Sequence, residues 1–129
     1  MKKEEIITII IIAMIMIGDF FSQRYTAKCM DEMSEKLTKI KEQAISETID
    51  SEELTNQMSD IYDDWLAKDK FLSYYIEHAE LEKVNTQLRR AKAYFEANIQ
   101  DQCVPEIENA VYVLEHIKAK QAFSLRNVF

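Results

Sequence analysis

Two histidines, His78 and His116, are the residues best suited to binding a metal ion or moving a proton in this 129-residue chain. A di-iron site in a helical bundle requires Glu-x-x-His on two helices, because residues three apart share a helix face. Tyr75 and Val113 occupy the glutamate positions, and no His-Glu-x-x-His segment occurs. The sequence therefore predicts no metal site and no cofactor, and it favours surface or helix-end positions for both histidines.

The two cysteines are Cys29 and Cys103, and they lack the close spacing of zinc ligands. Two cysteines in an exported protein favour a disulfide. In an antiparallel bundle, however, Cys29 lies near the membrane end of the first helix and Cys103 at a distal turn about 30 Å away, whereas disulfide-linked Cα atoms lie within about 7 Å. We therefore expect free thiols.

Enzyme and nucleic-acid functions find little support in the remaining residues. One glycine cannot supply a phosphate-binding loop, a dinucleotide fingerprint or a nucleophile elbow, and the serines lack a pattern of His and Asp partners. A net charge of −7 disfavours contact with a phosphate backbone. We expect a protein that is not an enzyme and does not bind nucleic acid.

Acidic residues are concentrated in residues 47–64, which contain seven Asp and Glu and no Lys or Arg. A solvated acidic helix end accounts for this pattern. The alternative is a surface for a weakly bound divalent cation or a basic partner, because hard cations prefer carboxylate oxygens.

A strongly apolar segment occupies residues 6–17, in which Thr8 is the one polar side chain. As a helix it reaches about 18 Å, short of a hydrocarbon core of about 30 Å. Phe20 and Phe21 extend the apolar surface, and Tyr25 suits a membrane interface. The sequence therefore predicts an anchor over residues 1–25 that contacts a lipid bilayer through residues 4–25.

A cleaved signal peptide is the alternative to a retained anchor, because its apolar region is equally short. Cleavage requires small residues at both −3 and −1. The small residues Gly18, Ser22 and Ala27 are preceded at −3 by Ile15, Phe20 and Tyr25. We expect retention, a single-pass location in the cell membrane, and an extracytoplasmic position for the bulk of the chain.

Helical periodicity dominates the rest of the chain, which has one glycine and one proline for tight turns. Apolar residues recur at steps of three and four in four successive seams. These seams are Met30, Met33, Leu37, Ile40 and Ala44; Leu54, Met58, Ile61, Trp65, Leu72 and Ile76; Leu81, Val84, Leu88, Ala91 and Phe95; and Ile107, Val111, Leu114 and Ile117. The sequence predicts an all-α fold, in which an N-terminal transmembrane helix precedes an antiparallel up-down bundle of three to four helices over residues 26–121.

Breaks between these helices are predicted at three places. Asp50 followed by Glu53 is typical of a helix N-cap. A phase slip between the second and third seams predicts a break or kink at residues 78–80. Residues 98–101 are a polar interruption, and Pro105 is expected in the first turn of the last helix. No break separates the anchor from the first seam, so one continuous helix is expected there.

Most aromatic residues are expected in the core, whereas one or two, such as Tyr74, lie outside the seams and could form a docking patch. The aromatic residues cluster on the second helix as Tyr62, Trp65, Phe71, Tyr74 and Tyr75. The tail, residues 122–129, is apolar and either folds back onto the bundle or docks to a partner. The candidate docking residues are Tyr74, Tyr75, His78, His116, Phe123, Leu125 and Phe129.

Several short motifs resemble those of the DUF4363 family, uncharacterised membrane-anchored helical proteins of Gram-positive bacteria. They are the Met-Lys-Lys start with its Ile-rich segment, residues 71–72, 75–78, 81–84 and 114–117, and the Ser-Leu-Arg-Asn-Val-Phe ending. The resemblance implies an accessory protein that accompanies a multi-pass membrane protein, and it implies no catalytic activity.

These observations together predict a membrane-tethered, non-enzymatic interaction module, an accessory subunit of an integral membrane protein. An extracytoplasmic helical bundle that senses a ligand or stress is the main alternative, and a cell-envelope hydrolase is disfavoured. Self-association into a homo-oligomer stays open.

Overall fold

The computed structural model describes the backbone of residues 2–128 and the side chains of residues 2–123. Within this part the chain is helical and contains no strand, which confirms the all-α prediction. The four helices are α1 (Lys3–Ser46), α2 (Ser51–Leu72), α3 (His78–Glu96) and α4 (Gln100–Val128).

The helices form a four-membered antiparallel bundle in which α1 and α3 each pack against both α2 and α4. Contacts run in opposite directions along α1 and α2, since Thr26 meets Tyr75 and Lys36 meets Asp64. The pairs Asp31–Lys118 and Lys41–Glu108 show the same for α1 and α4. Short turns between consecutive helices produce this up-down arrangement, as the sequence predicts.

The core consists of the predicted seams, which face one another along the bundle axis. All five residues of the first seam are buried, and Trp65 and Phe95 fill the largest volumes between α2 and α3. Trp65 donates its indole N–H to Asn85, which satisfies a polar atom that burial would otherwise leave without water. Cys103 and Ala110 belong to the core as well, whereas Val111 is only partly buried.

The turns at one end of the bundle use non-glycine residues in the left-handed conformation. Glu47 ends α1 with φ 54°, and Asn98 follows α3 with φ 59°. Asp50 caps α2 by accepting a hydrogen bond from the backbone N–H of Glu53 at 2.8 Å, which confirms the predicted cap. Ser51 donates to the side chain of Asn98 at 2.8 Å, so the two turns are joined.

Two predicted helix boundaries are wrong by a few residues. The break between α2 and α3 lies at residues 73–77 rather than 78–80, since α3 already begins at His78. Ile76 continues the apolar pattern of α2 because it is buried although it lies in the turn. Pro105 lies in the second turn of α4 rather than the first, so the carbonyl of Asp101 receives no N–H from it.

One helix, α1, carries both the apolar segment and the first seam of the bundle. Its 44 residues extend about 66 Å, and buried residues begin only at Thr26. The described structure thus confirms a continuous helix across residues 25 and 26. We call the end where α1 enters the bundle, beside the α2–α3 turn, the proximal end, and the end with the turns at residues 47–50 and 97–99 the distal end.

The predicted folding back of the tail does not occur at its first aromatic residue. The helix α4 continues to Val128, and Phe123 is 63% exposed. The helix persists because residues 122–128 contain no glycine or proline to end it. The side chain of Leu125 and all of Phe129 lie outside the described residues.

Candidate functional site

Exposed aromatic side chains cluster at the proximal end, where we call them the aromatic collar: Phe20, Phe21, Tyr25, Phe71 and Tyr74. The ring centroids of Tyr25 and Phe71 lie 6.0 Å apart, and those of Phe71 and Tyr74 lie 6.3 Å apart. Tyr74 is 85% exposed and Phe71 is 65% exposed. The collar therefore joins the α2–α3 turn to the base of the apolar segment.

Hydrogen bonds between Tyr75 and α1 fix the turn that carries Tyr74. Thr26 donates to the carbonyl of Ser22 at 2.8 Å, and its oxygen lies 2.8 Å from the Tyr75 hydroxyl. The Tyr75 hydroxyl also donates to the carbonyl of Ser22 at 3.4 Å, so either hydroxyl can supply the proton between Thr26 and Tyr75. Thr26 is fully buried, and burial raises the pKa of Tyr75.

A small cavity of about 190 Å³ lies between the same turn, the start of α3 and α4. Glu80 is only 8% exposed, and its Oε2 has no hydrogen-bond partner among the described residues. Its Oε1 lies 3.7 Å from the ammonium of Lys83. On the opposite wall Lys120 pairs with Glu77 at 3.2 Å. The lining residues are Tyr75, Ile76, Glu77, Glu80, Ile117, Lys120 and Gln121.

The histidines take surface positions, as the sequence predicts. His78 begins α3 with an 87% exposed side chain, and its Nε2 lies 3.9 Å from a carboxylate oxygen of Glu82. His116 is exposed on α4. Among the side chains that the structure describes, no group of three or more His, Cys, Asp and Glu is arranged to hold a metal ion.

Both cysteines are free and buried in the core, which agrees with the expected thiols. Cys29 is 2% exposed and Cys103 is fully buried. Burial raises the pKa of Cys29, and it raises the pKa of Cys103 to about 11. A high pKa and burial both suppress nucleophilic attack by a thiol, so neither residue resembles a reactive centre.

The acidic residues 47–64 do not converge on one point. Asp64 accepts hydrogen bonds from Lys68 of its own helix at 2.7 Å and from Lys36 of α1 at 2.9 Å. Burial raises the pKa of Asp64, but the two lysines outweigh this and hold it below the ordinary value. Asp50 serves as the α2 cap. Separate structural uses therefore account for part of this stretch.

The structure gathers most of the candidate docking residues at one end. Tyr74, Tyr75 and His78 lie in or beside the α2–α3 turn, and the Asp31–Lys118 pair places the end of α4 alongside the start of the bundle. Tyr75 is mainly a structural residue. Phe71, one of the second-helix aromatic residues of which most are expected in the core, belongs to the exposed collar. Phe71 lies next to Leu72 and off the apolar seam, a position that suits a buried or an exposed aromatic side chain equally.

The fold and the collar define a class: a four-helix bundle whose first helix continues past the bundle into an unburied stretch that, by length and composition, could cross a membrane. The chain belongs to the family described as a domain of unknown function, DUF4363, whose profile matches residues 20–128. The match includes the whole bundle and begins at Phe20, after the Ile-rich segment. No curated protein and no solved structure matches the chain.

Proposed function

We propose that this protein is a membrane-tethered, non-enzymatic interaction module, an accessory subunit of an integral membrane protein, with its bundle on the extracytoplasmic side. The observation that carries this proposal is the apolar segment of α1, none of which is buried by the rest of the chain. A contiguous apolar surface of this size requires lipid or protein to cover it.

The length of the apolar surface supports a retained anchor. Residues 4–21 extend about 27 Å as a helix, close to the hydrocarbon thickness of about 30 Å. Asp19 is placed near one end of this span, within about one turn of the boundary where water reaches a carboxylate at lower cost than at the bilayer centre. The anchor confines the bundle to two dimensions, which raises its effective concentration for a partner in the same membrane.

A non-catalytic role is supported by the dispersal of the chemically capable residues. The histidines are exposed on separate helices, and both thiols are enclosed in the core. A nucleophile and its base need hydrogen-bond contact, which this arrangement does not offer to either cysteine.

Affinity purification of the full chain from mild detergent tests the accessory role. We expect an integral membrane protein to co-purify in a stoichiometric amount, and we expect recovery to survive salt that screens surface ion pairs. Recovery of the free protein alone would contradict the accessory role, provided that mass spectrometry shows the apolar segment still attached. Recovery of a chain shortened before Arg24 would instead contradict the anchor.

Proteinase treatment of intact cells tests the orientation. We expect cleavage in the exposed turn at residues 47–50 or within the bundle, because these lie outside the cytoplasmic membrane in the proposed topology. Full protection in intact cells, together with cleavage after the cells are opened, would reverse the orientation and leave the anchor unaffected.

A second candidate function, an extracytoplasmic ligand-sensing bundle, is favoured by the cavity at Glu80. A buried carboxylate oxygen without a partner suits a small cationic ligand, such as an amine. Under this alternative, small primary amines raise the thermal midpoint of the full chain, and Glu80→Gln abolishes the increase. An unchanged midpoint for both proteins would exclude amine sensing at this cavity.

A further inference from the structure

The collar extends the apolar surface of α1 sideways, onto a part of the chain that is remote in sequence. Phe71 lies in the last turn of α2 and Tyr74 in the α2–α3 turn, about fifty residues after the anchor, yet Phe71 contacts Tyr25 on α1. Exposed aromatic residues of this size are seldom left in contact with one another on a purely solvated surface. The apolar segment and the turn therefore present one continuous surface.

The level of the collar along α1 coincides with a membrane interface. If residues 4–21 fill the hydrocarbon layer, Tyr25 lies about 6 Å beyond its boundary, within the headgroup region. The contact between Tyr25 and Phe71 places the α2–α3 turn at this same level. Tyr and Trp favour this layer because their rings are apolar and their polar atoms reach water.

The net charge of the bundle becomes less negative toward the proximal end, which is the direction that favours contact with a membrane. Residues 22–34, 64–86 and 112–126, which form the proximal half, contain eight basic and eight acidic residues. Residues 35–63 and 87–111, which form the distal half, contain six basic and twelve acidic residues. Anionic lipid headgroups repel net negative charge, so the proximal half is the one that can approach them.

The turn is also held rigidly enough to act as a contact surface. Leu72 before Tyr74 is buried in the core, and after it Tyr75 hydrogen-bonds to Thr26 and Ile76 is buried, so the backbone on both sides of Tyr74 is held. The side chain of Tyr74 itself is exposed to solvent. A loop that is already ordered loses little conformational freedom when it enters an interface, which favours binding.

We propose that the aromatic collar is a second membrane-contact site, through which Phe71 and Tyr74 insert into the headgroup layer of the bilayer that holds the anchor. This inference rests on the proposed anchor. The turn and α1 then contact the bilayer at two separated points, so the bundle has a defined orientation relative to the membrane instead of turning freely above it.

Depth-dependent quenching of tryptophan fluorescence in nanodiscs tests the contact. Tyr74→Trp in the full chain is reconstituted with unlabelled or brominated phosphatidylcholine, and the signal of the buried Trp65 is subtracted by using the unmodified protein. We expect a blue-shifted emission and a fractional loss in brominated lipid at least half as large as that of Phe20→Trp, which reports the anchor.

Tyr112→Trp is the matched control, because Tyr112 is 72% exposed on α4 and lies near the level of Leu37. That level is about 18 Å from Tyr25, so we expect no quenching there. Phe71→Trp repeats the test at a second position if Tyr74→Trp lowers the helix content measured by circular dichroism.

The outcomes separate the contact from the anchor. Quenching of Phe20→Trp, the collar position that lies within the anchor, without quenching of Tyr74→Trp or Phe71→Trp would overturn the contact of Phe71 and Tyr74 with lipid and keep the anchor. Absence of quenching at all three positions would overturn the anchor itself. A blue shift that depends on protein concentration without quenching would assign the collar to a second copy of the chain, which also contradicts the lipid contact.

Discussion

The Tyr75 hydroxyl helps to hold the α2–α3 turn against α1, and its loss should be measurable. Tyr75→Phe removes the hydrogen bonds to Thr26 and to the Ser22 carbonyl without changing the ring. We expect the free energy of unfolding in detergent to fall by about 1 kcal/mol, the usual net contribution of one hydrogen bond. Tyr112→Phe, at an exposed position on α4, should leave it unchanged.

A double-mutant cycle with Thr26→Val distinguishes this bond from simple packing. Thr26→Val leaves the Tyr75 hydroxyl without its closest hydrogen-bond partner. It should therefore lower the free energy of unfolding more in the native background than in the Tyr75→Phe background. Additive losses in the two variants would contradict a direct interaction between the hydroxyl groups.

The buried thiols should react slowly with hydrophilic reagents in the folded protein. With a pKa of about 11, Cys103 holds about two hundred times less thiolate at pH 8 than an exposed cysteine of ordinary pKa. Because the pKa is raised, labelling should increase with pH and level off only near pH 11. Ellman's reagent monitored from pH 7 to 11 measures this dependence.

Ser73→Cys provides an exposed thiol in the same chain for comparison. We expect this thiol to react at once with Ellman's reagent. The two native thiols should reach the same reaction rate only after denaturation. Rapid reaction of two native thiols at pH 8 in the folded protein would show that the core around α1 and α4 is open.

Individual roles were predictable where residue type alone decides them. The exposed histidines and the Asp50 cap follow from spacing and from hydrogen-bonding capacity. The exposure of Phe71 and the burial of Glu80 did not, because both depend on which neighbouring helix covers that face. An aromatic residue beside a seam is apolar enough for either environment, so its sequence neighbours cannot decide.

At the level of the helices, the left-handed residue that ends α1 offers a simple test of backbone strain. Glu47 has a φ of 54°, which costs a residue with a Cβ about 1 kcal/mol and costs glycine almost nothing. We expect Glu47→Gly to raise the thermal midpoint in detergent. Glu42→Gly, at an exposed position inside α1, should lower it by removing helix propensity. A decrease for both variants would contradict the assigned conformation.

Helix identity was predictable, whereas helix boundaries were less so, for one physical reason. The seam from Met30 to Ala44 records the periodicity of a face that is buried along its whole length. At the α2–α3 turn, Ile76 is buried without being helical, so burial extends the apolar pattern past the end of the helix. The expected position of Pro105 in the first turn of α4 is wrong because a proline in the second turn costs the helix only one backbone hydrogen bond, which α4 tolerates.

Considered as a whole, the molecule is a rod with unequal ends. The proximal half is electrically neutral and carries the collar, whereas the distal half holds the excess of acidic residues. Since α1 is continuous, the anchor and the bundle cannot rotate independently without a break in the helix. Ion pairs between α1 and its neighbours are exposed and add little, so the buried seams supply the stiffness.

This asymmetry predicts how far the distal end stands from the bilayer. A fluorophore at Thr48→Cys lies about 30 Å along α1 from the level of Tyr25. We expect little energy transfer from it to a short-range acceptor on lipid headgroups in liposomes. The same fluorophore at Ser73→Cys, beside the collar, should transfer strongly. Because the native thiols are buried, both labels can be attached selectively.

Lipid composition supplies the second half of the test. Anionic lipid should leave the distal label far from the headgroups, because they repel the acidic end of the bundle. High salt screens this repulsion, and the label should then lie no closer to the headgroups than it does in neutral lipid. Equal transfer from the two positions would mean that the bundle lies flat on the membrane, with its acidic turns among the headgroups. In that case the collar could not be the element that orients the bundle, even if α1 spans the bilayer.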